Sequence, residues 1–523
     1  MKNKILFGWM IMITMVSMAQ SSKIDVLYNE KSIGKDIKSH KAIIAQEYIF
    51  PKRIHEIYLD TISGNITLKL RKLSKNGKVL DISGEVLVFD LINKQVKWDK
   101  KVEFTTNNIY QYGNIITQNI GNKLICLNNE TGEKIWDIKN DLYYVDPIKK
   151  IGVGYKYKGF AGNLHTLEGV NLISGNSIWE KELNREYGWN KTIQLNDSTI
   201  LIAASGLHTV NIKNGSGWDF NLVTGQKDYK ETIAKNVAGI TIGILTGTYI
   251  TSSGPNVVRE IISNIIIDSS EIYIASKESI SKINKVNGKI IWSNQLPEDL
   301  TSKSSIFIKD SLLYLINNGF AYWGDKKIDY GIPFINGLNL KTGEQIFYKT
   351  ISEKKDPICD FKTYNDTLLI SYKNRLTKYS LKDGSELFSK TFDQEEYGDL
   401  KFFTGNHIYL KTRENNFTQL TKLDSTKYYI QTSKRKTLIL DYDFNIINQI
   451  DFDELYYNYA TIDKNKLLAK DIQTIILDKN NQEIANLDLS YTSTIVGTTL
   501  YNFKGNSLFV VNLKELFKTK PNP

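Results

Sequence analysis

Short runs of apolar residues recur along the chain and are separated by polar turns. Examples are "NKLICL" (122–127), "EIYIAS" (271–276) and "NHIYLKT" (406–412), and the runs "NIITQNI" and "DSLLYLI" are of the same kind. Runs of this length that are rich in Ile, Leu, Val and Tyr are typical of β-strands. Consecutive apolar residues, as in "LICL", favour strands that are covered on both faces. The pattern predicts an all-β protein built from many short strands.

A turn follows many of these runs, and an aromatic residue stands four positions after the turn's glycine. The first copy has lysine instead of glycine. The pairs are Lys94 and Trp98, Gly132 and Trp136, Gly175 and Trp179, Gly225 and Tyr229, Gly288 and Trp292, Gly343 and Phe347, and Gly384 and Phe388. Successive turns lie about 40 to 60 residues apart, which is the range of a four-stranded propeller blade and not of a two-helix repeat. We interpret these residues as structural positions of an internal repeat.

Physical chemistry explains both members of a pair. A glycine in the turn adopts positive φ without steric cost, and a preceding Asn, Asp or Thr suits such a hairpin. The aromatic residue then lies in the following strand, where its large ring can fill the wedge between neighbouring blades. Radial stacking of blades also covers both faces of each strand.

The repeated motif Asn/Asp-x-x-Thr/Ser/Asn-Gly-x-x-apolar-Trp is clearest in "NNETGEKIW" and "NKVNGKIIW". It resembles the PQQ-like β-propeller repeat over most of residues 80–490. That family includes the eight-bladed quinoprotein alcohol dehydrogenases and the propeller lipoprotein of the outer-membrane assembly machinery. The resemblance implies a β-propeller of four-stranded blades, with eight blades favoured and seven as the alternative. It implies little about function, because many members bind no quinone.

The pattern also suggests a division of the chain. Residues 20–79 lack the repeat signature and are predicted to supply closing or outer strands, and the propeller is predicted for 80–523. Degenerate copies begin at 441 ("LDYDFNIINQI") and 478 ("LDKNNQEIANL"), without the aromatic. An apolar, glycine-rich insertion lies near 238–254; it is interpreted as a buried loop, with a docking surface as the alternative. Residues 211–220 ("NIKNGSGWDF") are interpreted as a long hairpin inside a blade.

The N-terminus resembles a secretory signal. Lys2 and Lys4 precede an apolar stretch, and small residues at Ser17 and Ala19 suit cleavage after Ala19. Residues 1–19 are therefore predicted to be a signal peptide, with a retained membrane anchor as the alternative. No cysteine lies near the cleavage site, which argues against a lipid anchor. The mature chain is predicted to have no transmembrane segment and to be periplasmic or associated with the cell surface.

Composition narrows the partner classes. The formal net charge is +10, carried by lysine, with arginine scarce and scattered. Sequence-specific nucleic-acid readers depend on arginine forks, so no nucleic-acid partner is predicted. Only two cysteines occur, Cys126 and Cys359, and both are predicted to be buried thiols.

Candidate chemistry is sparse. The cysteines are not vicinal and no segment matches the calcium-ligand motifs of the quinoproteins, so the resemblance is not extended to a quinone. The five histidines stand singly, without zinc spacing, and there is no haem motif or Gly-x-Ser-x-Gly elbow. The acidic runs "DFDEL" (451–455) and "DQEEY" (393–397) are interpreted as solvated loops. No catalytic, cofactor-binding or metal residue is predicted.

Two functions remain open from the sequence. The first is a non-catalytic interaction or scaffold protein of the bacterial cell envelope, with an envelope protein as partner. The alternative is an enzyme or a small-ligand or carbohydrate receptor with its site at the mouth of the central channel. The oligomeric state stays open.

Overall fold

A computed structural model of the chain describes residues 24–60, 63–157, 165–183, 191–204, 206–221, 240–244, 248–252, 262–297, 300–323, 326–402, 408–420 and 427–517. The signal-peptide prediction lies outside these residues. The described residues are mainly β-strands, with two one-turn helices, α1 (Gln394–Tyr397) and α2 (Lys514–Phe517), and a 3-10 turn at Phe452–Glu454. No helix among them is both long and apolar enough to cross a membrane.

The strands of the first half, in chain order, are β1 (Leu27–Asp36), β2 (Ala42–Ile49), β3 (Arg53–Leu59), β4 (Asn65–Leu73), β5 (Leu80–Asp90), β6 (Gln95–Glu103), β7 (Asn107–Tyr112), β8 (Ile115–Ile120), β9 (Lys123–Leu127), β10 (Lys134–Ile138), β11 (Asn140–Asp146), β12 (Ile151–Lys156), β13 (Thr166–Asn171), β14 (Ser177–Glu182), β15 (Lys191–Gln194), β16 (Thr199–Ala204), β17 (Gly206–Asn211), β18 (Asp219–Asn221), β19 (Ile240–Ile244) and β20 (Thr248–Ser252).

Those of the second half are β21 (Ile266–Ile267), β22 (Glu271–Ala275), β23 (Ser279–Asn284), β24 (Ile290–Gln295), β25 (Ser304–Lys309), β26 (Leu312–Asn317), β27 (Phe320–Trp323), β28 (Lys326–Asp329), β29 (Phe334–Asn339), β30 (Gln345–Thr350), β31 (Asp360–Tyr364), β32 (Thr367–Ser371), β33 (Arg375–Ser380), β34 (Glu386–Thr391), β35 (Leu400–Phe402), β36 (Ile408–Arg413), β37 (Asn416–Gln419), β38 (Tyr428–Thr432), β39 (Lys436–Leu440), β40 (Ile446–Asp451), β41 (Leu455–Ile462), β42 (Asn465–Lys470), β43 (Gln473–Leu477), β44 (Glu483–Leu487), β45 (Thr494–Val496), β46 (Thr499–Lys504) and β47 (Ser507–Asn512).

Most strands form four-stranded antiparallel sheets. We number them sheet 1 (β3–β6), sheet 2 (β7–β10), sheet 3 (β11–β14), sheet 4 (β15–β18), sheet 5 (β21–β24), sheet 6 (β25, β26, β29, β30), sheet 7 (β31–β34) and sheet 8 (β35, β38, β39, β40). Sheet 9 is the run β41–β44, which pairs onward through β36 on one side and β1 on the other. The prediction of an all-β chain of four-stranded antiparallel sheets is confirmed, whereas the count of eight blades is not.

The chain divides into two compact units. The first draws on Met1–Glu30, Gln46–Ile138 and Phe503–Val510, and its described part contains sheets 1 and 2. The second draws on Lys31–Ala45, Lys139–Asn502 and Val511–Pro523, and contains sheets 3 to 9. Strands β3 and β4, which precede residue 80, share sheet 1 with β5 and β6, and the division at residue 80 stays a prediction.

The apolar core is distributed between consecutive sheets. In β16, Ile200 and Ile202 belong to the cluster shared with sheet 3, while Leu201 and Ala203 belong to the cluster shared with sheet 5. Each of these side chains is at most 1% exposed. Alternate side chains of a strand point to opposite faces, so an unbroken apolar run covers both sides of a sheet. This is the reason for runs such as "ILIA" in the sequence.

The hairpin turns of the repeat have one geometry. In "NNETGE" the amide of Gly132 donates to the carbonyl of Asn128 at 2.8 Å, and the Asn128 side chain accepts from the amides of Glu130 and Thr131. Gly132 has a φ of +70°, and the turn glycines at 175, 288, 343 and 384 have φ between 70° and 77°. The turn thus needs a residue that enters the left-handed region easily.

The aromatic residue of one sheet packs on the turn glycine of the next sheet. A Cβ added to Gly132 would lie 2.6 Å from the Trp98 ring, and the Trp98 indole N–H donates to the carbonyl of Asn129 at 2.9 Å. The same arrangement joins Trp179 to Gly215, Trp218 to Gly288, Trp292 to Gly343 and Phe347 to Gly384. Each glycine therefore provides both the positive φ and the room for a ring.

We expect the two demands on Gly132 to be separable by substitution. Gly132→Ala should lower the free energy of unfolding by about 2–5 kcal/mol, because a left-handed residue costs about 1–2 kcal/mol and overpacking about 1–3 kcal/mol. Gly121 is the matched control: its φ is +57°, but nothing lies within 4 Å of an added Cβ. Gly121→Ala should cost only the left-handed share of about 1–2 kcal/mol. Urea unfolding followed by tryptophan fluorescence measures both, and equal losses would contradict a packing role for the ring.

Candidate functional site

Four aromatic residues predicted from the repeat, Trp98, Trp179, Trp292 and Phe347, pack on the turn glycine of a neighbouring sheet and do not share a cleft. Trp98, Trp136, Trp179 and Trp292 are 5–9% exposed. Phe347 is half-buried and packs against Gly384, whereas Phe388 is 37% exposed. The four rings that pack on a neighbouring glycine join the sheets, and a binding site has to be sought elsewhere.

One turn of the repeat was missed by the sequence analysis. Residues 211–220 span the end of β17, the turn that follows it and the start of β18. Gly215 has a φ of +74°, and Trp218 donates its indole N–H to the carbonyl of Lys285 at 2.9 Å. Here the aromatic follows the glycine after three positions and not four, which is why the spacing did not reveal it. The predicted pair Gly225 and Tyr229 lies outside the described residues.

The candidate site is a pocket beside sheets 8 and 9, which we call the aromatic pocket. Its volume is about 320 Å³, within the range of about 300–1,000 Å³ that is usual for ligand sites. Three tyrosines, a phenylalanine and two aliphatic residues line it, with four charged residues. They are Arg435, Phe452, Asp453, Leu455, Tyr457, Tyr459, Ala469, Lys470, Asp471 and Tyr491.

Four connections between strands supply part of this lining. Arg435 lies in the β38–β39 turn, with a φ of +61°, and Asp471 lies in the β42–β43 turn, with a φ of +50°. The amide of Phe452 donates to the carbonyl of Arg435 at 2.8 Å and ties the β40–β41 connection to the first turn. Tyr491 lies in the segment after β44. Residues far apart in the sequence are thereby placed around one volume.

Strand β41 forms the floor of the pocket. Alternate side chains of a strand share a face, and Leu455 and Tyr457 follow this period. Tyr459 also lines the pocket, from the bulge between Asn458 and Ala460. Tyr457 pairs across the ladder with Ala469 of β42, which also lines the pocket. The acidic run "DFDEL", interpreted from the sequence as a solvated loop, provides Phe452, Asp453 and Leu455. The apolar residues Phe452 and Leu455 within this acidic run are the sequence feature that indicates a partly buried segment.

One hydroxyl in the floor has no hydrogen-bond partner within the described part of the chain. The Tyr457 hydroxyl oxygen is inaccessible to solvent and unpaired. Burial raises the pKa of Tyr457 to about 12, although the nearby Arg435 opposes the shift. The group therefore keeps its proton at neutral pH and can donate or accept a hydrogen bond. The Tyr459 hydroxyl, by contrast, lies 3.0 Å from Thr474 Oγ1.

The charged residues of the pocket balance. Arg435 forms an ion pair with Asp453, and both side chains are largely exposed, at 69% and 75%. The Arg435 guanidinium also lies over the Phe452 ring, 5.3 Å from its centroid. Lys470 and Asp471 add one charge of each sign. An exposed pair contributes little to stability, so these groups are available to contact a ligand.

The acidic run at 393–397 and the buried His208 make hydrogen bonds within the fold. The run "DQEEY" contains α1, and Asp393 caps it by accepting from the amides of Glu395 and Glu396. His208 is buried with Nδ1 2.7 Å from Asp219. His407 lies outside the described residues. Within the described ranges, no three His, Cys, Asp or Glu side chains are grouped to hold a metal ion.

The cysteines do not form a disulfide. Cys126 is buried and Cys359 is half-buried, and burial raises the pKa of the Cys126 thiol to about 11. The apolar insertion near 238–254 contributes the hairpin β19–β20, which lies beside β27 of the hairpin β27–β28.

Comparison with known proteins leaves the family unassigned. No protein-family model and no curated protein matches the chain. Among solved structures, BamB from Moraxella catarrhalis aligns over 73% of this chain and 96% of its own, with 12% identity and a TM-score of 0.30. The C-terminal WD40 domain of Sif2 aligns over 78% and 98%, with 11% identity and a TM-score of 0.30. The computationally designed Ika8 protein aligns over 72% and 96%, with 10% identity and a TM-score of 0.27. Such low TM-scores carry no weight for fold or function.

The unpaired hydroxyl yields a stability prediction. Removing an unsatisfied buried hydroxyl costs no hydrogen bond, so Tyr457→Phe should leave the melting temperature unchanged or raise it. Tyr379 is the control, because its hydroxyl donates to the Ile351 carbonyl at 3.1 Å and lies 3.0 Å from the Tyr372 hydroxyl. Tyr379→Phe should lower the free energy of unfolding by about 0.5–1.5 kcal/mol, because it loses a buried hydrogen bond. Thermal unfolding of both variants decides, and a clear loss in Tyr457→Phe would mean that its hydroxyl is satisfied in solution.

Proposed function

We propose that this chain is an exported β-propeller of the bacterial cell envelope that binds a small ligand and does not catalyse a reaction. The observation that carries the proposal is the aromatic pocket, whose size and mainly apolar lining, with a few converging polar groups, are typical of ligand sites. The sequence left open a scaffold function and, as the alternative, an enzyme or a small-ligand receptor, and this choice favours the receptor.

The propeller part of the proposal is supported by the contacts between sheets. Within each unit, an aromatic ring of one four-stranded sheet packs on the turn glycine of the next, and apolar clusters fill the space between sheets. This is how successive blades pack in a propeller. We propose that sheets 1 and 2 of the first unit and sheets 3 to 9 of the second unit are such blades.

The non-catalytic part is supported by the carboxylates of the pocket. Catalytic acids and bases generally lie in desolvated surroundings. Asp453 is 75% exposed and already paired with Arg435. A binding role does not need a desolvated carboxylate. Export is supported by the charge, apolar stretch and small residues of positions 1–19.

A scaffold function is the second candidate, favoured by the hairpin β19–β20 within the apolar segment 238–254. An added hairpin is a device for holding a protein partner at a strand edge. The two candidates place the essential residues in different parts of the chain, which makes them separable by substitution.

The test uses the tagged full-length chain expressed in bacterial cells, in four versions. They are the wild type, Tyr491→Ala in the pocket, Tyr143→Ala as an exposed-tyrosine control on sheet 3, and a version with residues 238–254 replaced by a Gly-Ser linker. Cell fractionation reports export, and mass spectrometry of compounds and crosslinked proteins released from the purified chain reports binding.

We expect the chain in the envelope fraction, without residues 1–19, and a small compound that is retained by all versions except Tyr491→Ala. A cytoplasmic, uncleaved chain would overturn export. Equal recovery of every compound from the wild type and Tyr491→Ala would overturn the pocket. A protein that is lost only with the linker version, with no compound lost from Tyr491→Ala, would establish the scaffold function instead.

A further inference from the structure

The aromatic pocket has properties that narrow the chemistry of its ligand, an inference that rests on the proposed binding function. Aromatic rings form its wall, and its rim combines charges of both signs. We infer that the pocket takes a neutral saccharide of one or two rings.

The first argument is the arrangement of the rings. Phe452 and Tyr457 have centroids 5.7 Å apart and planes tilted by 44°, so they form an angled wall and not a closed stack. Tyr491 is 60% exposed, which leaves its ring accessible to a ligand. The C–H faces of a pyranose ring pack on aromatic rings, whose faces carry partial negative charge. A sugar therefore matches both the wall and Tyr491.

The second argument is charge. Arg435 and Lys470 bring two positive charges, and Asp453 and Asp471 bring two negative charges. An anionic ligand would be favoured by an excess of cations and a cationic ligand by an excess of carboxylates. The balance favours a ligand without net charge. Donors and acceptors side by side at the rim suit hydroxyl groups, which both donate and accept.

The third argument is size. The pocket volume of about 320 Å³ lies at the lower end of the range for ligand sites, which suits one or two sugar rings better than a long chain.

The experiment is calorimetric titration of the purified mature chain with defined probes. The neutral probes are glucose, galactose, mannose, N-acetylglucosamine, maltose and cellobiose. Glucuronate tests for a preference for anions, and hexanol is the apolar probe. We expect saturable binding of at least one neutral sugar that exceeds binding of glucuronate and hexanol.

Variants connect the binding to the pocket. Tyr491→Ala should weaken the affinity at least tenfold, while Tyr491→Phe, which keeps the ring, should stay within about threefold of the wild type. Tyr457→Phe keeps the ring and removes only a hydroxyl that is inaccessible to solvent, so its affinity should also stay within about threefold of the wild type. Tyr143→Ala, outside the pocket, should bind as the wild type does.

The outcomes separate this inference from the proposed function. Stronger binding of glucuronate or hexanol than of every neutral sugar would overturn the saccharide inference, as would sugar binding that Tyr491→Ala leaves intact. Absence of sugar binding by a chain that still retains a compound from cells through Tyr491 would overturn the saccharide inference alone. If the chain neither binds a sugar nor retains a compound from cells through Tyr491, the proposed binding function is overturned too.

Discussion

The contact between a strand aromatic and the left-handed glycine of the next sheet is the constraint on which the architecture depends. A sheet in this protein has two apolar faces, so it is stable only between neighbours. Burial of a tryptophan ring contributes roughly 4–6 kcal/mol, taking about 150–250 Å² at about 25 cal/mol per Å². The indole hydrogen bond contributes only about 1 kcal/mol. Burial therefore dominates, and the hydrogen bond orients the ring and satisfies a donor that would otherwise be buried alone.

The variations of the repeat show which of its parts are interchangeable. Sheets 3 and 5 carry a register shift just before the tryptophan, at Gly169/Val170 and Lys282/Ile283, and their spacing from glycine to aromatic is four. The pairing of β17 with β18 has no such shift, and there the spacing is three. One residue more or less is absorbed by a bulge, which preserves the direction of the ring.

Sheet 8 solves the same packing problem without a glycine. Phe444 occupies the left-handed position of the turn, with a φ of +58°, and its own ring is fully buried, 5.7 Å from Phe388. Asn448 of β40 pairs with Ile439, as Trp292 pairs with Lys282 in sheet 5, so this strand has no ring to offer sheet 9. The aromatic pocket lies beside this pair of sheets. Where the repeat no longer supplies its ring, aromatic residues from the connections line a ligand-sized volume.

The sequence by itself determined the strand content, the repeat and the turn geometry, because these depend on residues close together in the chain. Gly132 could be assigned to a left-handed turn from its neighbours alone. The tertiary structure decided which glycine each ring meets, since Trp98 and Gly132 belong to different sheets. It also decided the pocket, because Arg435, Tyr457 and Tyr491 come from separate turns and strands with no shared spacing. No local pattern records such a convergence, which arises only when the sheets pack.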